Sequence, residues 1–343
     1  MINMSSAQGS STKSIGSDQS SIRKFFFSNE FGLLFLIVVF ATIFALLTTG
    51  FTSRFNLYAL GRNISIDVVI GFSMMVVIVT GGLNLSVGSI GVSAVMFGGW
   101  LLEGMGSNLP VAFILLLLGG AVLGSINGVM VVRTGVHSFI ITLATMSVYF
   151  GLMIWLTQAE AFRNLPPEVA TFGRTKIYGY ISPLLLISLG VAILLAILYH
   201  YTSLGRNMLA AGANPTAAEL SGVNVQRTFI LCHALSGLLA ALAATMLTCR
   251  TGAAIPSMTG HIGQDWLLPA FLAPVLGGTL LSGGKVSVLG TFFGAVLVSL
   301  LTNGLLLLQV SEFWVQAVLG ALLLSAVLLE KLRNVVLLQN RFI

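Results

Sequence analysis

The sequence predicts an all-α, polytopic membrane protein of about ten transmembrane helices, some of them short or broken. Of its 343 residues, 56% are hydrophobic and only 8% are charged, and the mean hydropathy is +1.00. A soluble globular domain carries roughly a quarter charged residues. Apolar runs of about 20 residues, the length that crosses a bilayer, recur along the chain between short polar connections. Together these features exclude a soluble domain.

The chain divides into two tails and a long apolar region between them. Residues 1–29, rich in Ser, Gln and Gly, are expected to form a disordered cytoplasmic tail. The first apolar run is too long for the apolar region of a cleavable signal peptide. The transmembrane domain should cover 30–335, followed by a short cytoplasmic tail at 336–343. The predicted spans are 31–50, 60–80, 86–104, 110–132, 136–157, 181–201, 227–249, 263–281, 285–308 and 312–331.

The third and eighth spans are rich in Gly or contain Pro, so they are expected to be broken or re-entrant helices. The distribution of Lys and Arg gives the orientation, because these residues are enriched on the cytoplasmic side. With the N-terminus inside, ten of the 16 basic residues fall on the cytoplasmic side. The sequence therefore predicts cytoplasmic N- and C-termini. The basic residues are scattered singly, which does not favour nucleic-acid binding.

The pattern Gly-Gly-x-x-x-Ser-x-Gly interrupts two of the apolar runs. Glycine pairs allow sharp backbone turns and close helix contacts. Such interruptions at membrane depth occur inside protein or beside a water-filled path. Six predicted spans separate the two copies, so both should lie on the cytoplasmic face and form part of a gate for a solute. The copies are Gly81, Gly82, Ser86 and Gly88, and Gly277, Gly278, Ser282 and Gly284.

Motifs for enzymatic chemistry are missing from the sequence. It contains no G-x-x-x-x-G-K-[ST] loop, no HExxH and no CxxC, and its four histidines are widely spaced. We therefore expect no catalytic residues, no metal site and no cofactor. A transporter with this sequence would depend on a separate subunit to bind ATP and Mg²⁺.

The connection 202–226 is expected to dock a soluble partner on the cytoplasmic side. Asn214 and Pro215 open a turn, a short helix follows, and Gly222 ends it. A short helix outside the membrane between two spans is a suitable docking element. Its candidate contact residues are Asn214, Pro215, Ala217, Ala218, Glu219, Leu220, Ser221 and Gly222.

Several motifs occur in an order typical of one family. They are GGLNLSVGSIGVSAV (81–95), SINGVMV (125–131), FIITLATM (139–146), TSLGRNMLAAGANPTAAELSGVNV (202–225), LSGLLAAL (235–242) and VLGGTLLSGGKVSVLGTFFGAVLVSLLTNGL (275–305). Over about residues 30–335 the chain resembles the permease subunits of ribose/monosaccharide-type ABC importers.

This resemblance implies a type II ABC-importer-like fold in a bacterial inner (plasma) membrane. It also implies a second permease copy, as a homodimer or heterodimer, around a central path for a monosaccharide. The ATP-binding subunit would dock through a coupling helix at 214–222. A periplasmic or extracellular solute-binding protein would deliver the solute.

Two other functions stay open at this stage. The same architecture could serve branched-chain amino acids or another non-sugar solute. An ion-coupled secondary transporter would need paired intramembrane carboxylates, for which only Asp67 and Asp265 are available.

Polar residues inside the spans are the remaining candidates for the path, because they are costly in a membrane. Asp67 either lines the path or pairs with Arg62 or Arg250. Asn127 and Asn303 either line it or form interhelical hydrogen bonds. Asn84 replaces the Asp that is usual in the family, which suits a turn or capping role. The full set of path and gate candidates is Asp67, Gly81, Gly82, Asn84, Ser86, Gly88, Asn127, Gly277, Gly278, Ser282 and Asn303.

Overall fold

The computed structural model describes residues 29–179, 181–257 and 261–339. Within these ranges the chain folds into α-helices joined by short connections and forms no β-strand. The helices are α1 (Asn29–Leu47), α2 (Arg54–Ile78), α3 (Val87–Gly99), α4 (Leu109–Thr134), α5 (Ser138–Thr157), α6 (Pro167–Arg174), α7 (Pro183–Tyr201), α8 (Ser203–Ala213), α9 (Pro215–Leu220), α10 (Val225–Thr251), α11 (Leu267–Leu276), α12 (Val288–Leu307) and α13 (Glu312–Gln339).

Eight helical segments in the described part of the chain are long and apolar enough to cross a membrane. They correspond to the first seven predicted spans and to the ninth. The tenth corresponds to α13, whose segment Glu312–Leu328 is a shorter apolar helix. The all-α, polytopic fold predicted from the sequence is therefore confirmed.

The two spans expected to be irregular differ from each other. The eighth is short: a 3-10 turn (His261–Trp266) leads into the ten-residue α11, which contains Pro274 and ends before Gly277. The third continues from α3 into a π-helical turn (Trp100–Gly104), so it runs 18 residues without a gap.

The two predicted tails lie only partly within the described residues. The predicted N-terminal tail lies outside the described residues except for Asn29, which begins α1. Helix α13 continues to Gln339 and so includes 336–339 of the predicted C-terminal tail. Residues 340–343 lie outside the described part.

Polar side chains fix the starts of several helices. Asn214 Oδ1 accepts the Ala217 N–H at 3.0 Å, and Asn224 Oδ1 accepts the Arg227 N–H at 2.9 Å. These contacts satisfy backbone donors that a helix leaves free in its first turn. They place α9 as a separate short helix between α8 and α10.

Helix α2 lies in the buried centre of the fold, and α10 packs closely against α4. Helix α2 is buried along most of its length, from Ser65 to Ile78. On α4, Gly120, Gly124 and Gly128 face α10, where a Cβ on Gly124 would collide with the His233 carbonyl oxygen. Small residues four apart let two backbones approach closely. The glycines therefore set the spacing of this pair.

Candidate functional site

The two Gly-Gly-x-x-x-Ser-x-Gly motifs are in direct contact. The Gly284 N–H donates to the Val79 carbonyl oxygen at 2.9 Å. A Cβ on Gly81 would lie 3.3 Å from the Ser282 carbonyl oxygen. Gly81 has φ +76° and Gly284 has φ +78°, a conformation that side chains disfavour. We refer to residues 79–82 and 282–284 as the glycine junction.

The other motif glycines pack against neighbouring helices or turn the chain. Gly277 faces Gly290 of α12, where an added Cβ would meet the backbone nitrogen of Thr291. Gly278 has φ +81° and turns the chain after α11. Gly88 faces Gly263 of the 3-10 turn, with its ideal Cβ position 2.7 Å from the Gly263 Cα.

Helix α8 ends against the glycine junction. A Cβ on Gly212 would collide with the Val79 carbonyl oxygen and would lie 2.7 Å from the Gly284 nitrogen. Gly283 also faces the Gly212 carbonyl oxygen, which its ideal Cβ would approach to 2.9 Å. The connection 202–226 therefore lies against both parts of the glycine junction, 79–82 and 282–284.

The predicted docking residues lie on α9 and at its two ends. Asn214 caps α9, Pro215 is its first residue, and Gly222 follows it with φ +84°. Ala218 is buried in a small cluster with Ala211 and Val225. Most of the others face outward, and the Leu220 side chain is 87% exposed. The exposed predicted residues are Asn214, Pro215, Ala217, Glu219, Leu220, Ser221 and Gly222.

Asn84 and Ser86 belong to a fully buried hydrogen-bond network. Asn84 Oδ1 accepts from the Ser86 hydroxyl at 2.7 Å and from the Ser86 N–H at 3.1 Å. Its Nδ2 donates to the Ser236 hydroxyl of α10 at 2.9 Å. Asn127 Nδ2 donates to Ser86 Oγ at 2.7 Å, and its Oδ1 accepts from the Tyr149 hydroxyl at 2.8 Å. The network joins the segment before α3 to α4, α5 and α10.

Asp67 and Asn303 connect α2 with α12. The Ser299 hydroxyl of α12 donates to Asp67 Oδ2, and the Arg250 guanidinium interacts electrostatically with the same carboxylate. Asn303 exchanges two hydrogen bonds with Asn56 of α2, at 3.0 and 3.1 Å. Arg62 donates instead to the Gly173 carbonyl oxygen at 3.3 Å.

Several of these contacts involve residues that the sequence did not single out, among them Gly212, Ser236 and Tyr149. Ser236 and Tyr149 lie within apolar runs, so a polar side chain at membrane depth was the available signal. Gly212 had no such signal, because its contacts are made by backbone atoms of distant segments.

Comparison with known proteins identifies the class of this chain. A family model described as "Branched-chain amino acid transport system / permease component" matches residues 56–327. The chain belongs to this family. It is thus a multi-pass membrane permease and not an enzyme, as the sequence predicted.

Individual relatives are similar over most of their length. The chain is 36% identical to the ribose import permease protein RbsC of Bacillus subtilis (strain 168), over 88% of this chain and 91% of that protein. It is 31% identical to the D-allose transport system permease protein AlsC of Escherichia coli (strain K12), over 93% and 97% of the two chains. It is 34% identical to the autoinducer 2 import system permease protein LsrD of Salmonella paratyphi B, over 76% and 78%. No solved structure matches the chain.

Proposed function

We propose that this chain is the permease subunit of an ATP-driven importer that carries a monosaccharide across the bacterial inner membrane. The observation that carries the proposal is its similarity, over nearly the full length, to import permeases named for ribose and D-allose. The collinear motifs noted in the sequence support the same class.

The proposed coupling route begins at α9. An ATP-binding subunit, which would hold ATP and Mg²⁺, docks on the exposed residues around Glu219 and Leu220. Movement of the ATP-binding subunit is transmitted from α9 to the glycine junction through Gly212. Gly212 is in close contact with Val79 and Gly284, so α8 and the junction have no space between them. The junction then acts as the gate on the cytoplasmic side, and both chain termini lie on that side.

The proposed path lies between two permease copies, either two of this chain or this chain and a second permease. A solute-binding protein outside the membrane supplies the solute and most of the affinity. This arrangement is consistent with the few ionisable groups in the spans. Asn84, Ser86 and Asn127 then stabilise the helices around the gate, since their hydrogen-bonding groups are used within the buried network.

A second candidate solute class is the branched-chain amino acids, which the family description names. The deciding experiment reconstitutes the chain with its ATP-binding and solute-binding partners in proteoliposomes. We expect ATP-dependent uptake of a monosaccharide from a set that includes D-ribose and D-allose, and no uptake when the ATPase is inactivated. ATP-dependent uptake of L-leucine alone would support the second candidate. Uptake by this chain alone, driven by an ion gradient, would contradict the whole proposal.

A further inference from the structure

A cavity of about 430 Å³ lies beside the first glycine turn, on the face that carries the connection 202–226. Its walls come from the end of α2, the corner between α4 and α5, and the starts of α9 and α10. The volume falls within the roughly 300–1,000 Å³ of small-molecule sites. The polar lining residues are Thr80, His137, Ser138, Gln226 and His233. We call this space the His233 cavity.

His233 supplies a buried hydrogen-bonding atom that the protein leaves unused. The side chain is 1% exposed, and its Nε2 has no partner among the described residues. Its Nδ1 lies 3.0 Å from the Phe229 carbonyl oxygen. Because a carbonyl only accepts, Nδ1 carries the hydrogen, and in the neutral imidazole Nε2 is then an acceptor. A buried acceptor without a partner costs free energy, so this site favours a ligand that donates a hydrogen bond.

The two hydroxyl groups in the wall complement such a ligand. Thr80 Oγ1 donates to the Val77 carbonyl oxygen at 2.8 Å and keeps capacity to accept. Ser138 Oγ accepts the Leu83 N–H at 2.8 Å and keeps its hydrogen to donate. The wall thus offers both acceptors and a donor. A hydroxyl group can donate and accept, so several hydroxyls on one ligand could use all three positions.

The rest of the lining indicates a neutral ligand with apolar surface. None of the lining residues is Lys, Arg, Asp or Glu. Val131, Val136 and Phe229 cover much of the wall between the polar groups. The volume also far exceeds the roughly 30 Å³ that one water molecule occupies in the liquid. A neutral molecule with several hydroxyls on a C–H framework matches this lining.

We propose that the His233 cavity binds a neutral polyhydroxylated molecule, with the Nε2 atom of His233 accepting one of its hydroxyl hydrogens. The assignment of this ligand as the transported monosaccharide, on the side where it leaves the permease, rests on the function proposed above. Pro215 and Val225 line the cavity together with Gly81 and Gly82. A bound molecule therefore contacts the coupling connection and the glycine turn at once.

The test measures protection of an introduced thiol and does not depend on transport. In the full chain, Cys232→Ala and Cys249→Ala remove the native thiols, and Val136→Cys places a thiol on the exposed part of the cavity wall. The rate of its reaction with a maleimide is measured with D-ribose, D-allose, myo-inositol or L-leucine present. A protecting ligand slows the reaction by a factor of 1 + [L]/Kd, about threefold at twice the Kd. Tyr201→Cys, exposed and outside the cavity, is the matched control.

We expect at least one polyol to protect the thiol at position 136 and none to protect the thiol at 201. His233→Leu should abolish the protection because it removes the acceptor. Gln226→Ala, an exposed change at the rim, should weaken protection and provides a second variant if His233→Leu fails to fold. Protection by L-leucine alone, or by no compound, would overturn the proposal. Because uptake is assayed separately, protection without sugar uptake would refute only the proposed function.

Discussion

The Gly284 N–H donates to the Val79 carbonyl oxygen at 2.9 Å, and Gly212 of α8 lies against both residues. Three segments that are far apart in the sequence thus meet at one point through backbone atoms. Side chains are excluded there by the close contacts. The end of α8 therefore lies between the proposed docking helix and the glycine junction.

Gly212→Ala should uncouple the connection from the junction. The added methyl group would collide with the Val79 carbonyl oxygen, so α8 must shift. Such overpacking costs about 1–3 kcal/mol. We expect a lower melting temperature and a large loss of ATP-dependent uptake in proteoliposomes. The matched control is Gly190→Ala in α7, where a Cβ meets nothing within 4 Å. Equal uptake by Gly212→Ala and Gly190→Ala would contradict the proposed coupling through Gly212.

Glu219→Arg and Gly222→Trp should each prevent co-purification with the ATP-binding subunit while the chain still inserts into the membrane. The first reverses a charge on the exposed side of α9. The second places a large side chain at a residue with φ +84°, which disfavours side chains and ends α9.

Tyr178→Ala is the control for the docking variants, because this side chain is exposed in the connection at the other end of α7. Co-purification is measured by an affinity tag on the permease. Retention of the ATP-binding subunit by both α9 variants would reject α9 as the docking element.

Asn84→Leu should destabilise the fold more than Asn84→Asp does. The leucine leaves the Ser86 N–H and hydroxyl without their buried acceptor and removes the donor to Ser236. Unsatisfied buried groups cost about 1–3 kcal/mol each. The aspartate keeps the oxygen acceptor. We expect a lower melting temperature for Asn84→Leu than for Asn84→Asp in thermal unfolding of the purified chain. Equal melting temperatures would show that the network contributes little to stability.

Asp67→Asn distinguishes a structural tie from an ion-coupling or path role. The amide oxygen can still accept the Ser299 hydroxyl, whereas Asp67→Leu cannot. If Asp67 mainly ties α2 to α12, the asparagine variant should retain most of its uptake and the leucine variant should lose stability and uptake. Uptake and melting temperature are measured for both. Complete loss of uptake in a stable asparagine variant would show that the charge itself is needed.

The order of the spans and the existence of α9 followed from local signals in the sequence. Long apolar runs predict spanning helices because a bilayer core excludes unpaired backbone groups. Asn214, Pro215 and Gly222 marked the short helix because capping and turn preferences are local. The eighth span was expected to be irregular from its Pro and Gly content, and it is the ten-residue α11. The Gly content of the third span also predicted a broken or re-entrant helix, but α3 continues without a gap into the π turn.

The sequence by itself determined the class of this protein, because hydropathy, turn residues and the order of motifs are all properties of neighbouring residues. It revealed both glycine motifs but did not show that the segments carrying them contact each other and Gly212. It also left open whether Asn127 bonds to other helices. Only the tertiary structure decided these contacts, as well as the buried Nε2 of His233 beside a cavity. They depend on which distant backbone and side-chain atoms meet when the helices pack. Glycine has no side chain whose chemistry could indicate its contact partner in the sequence.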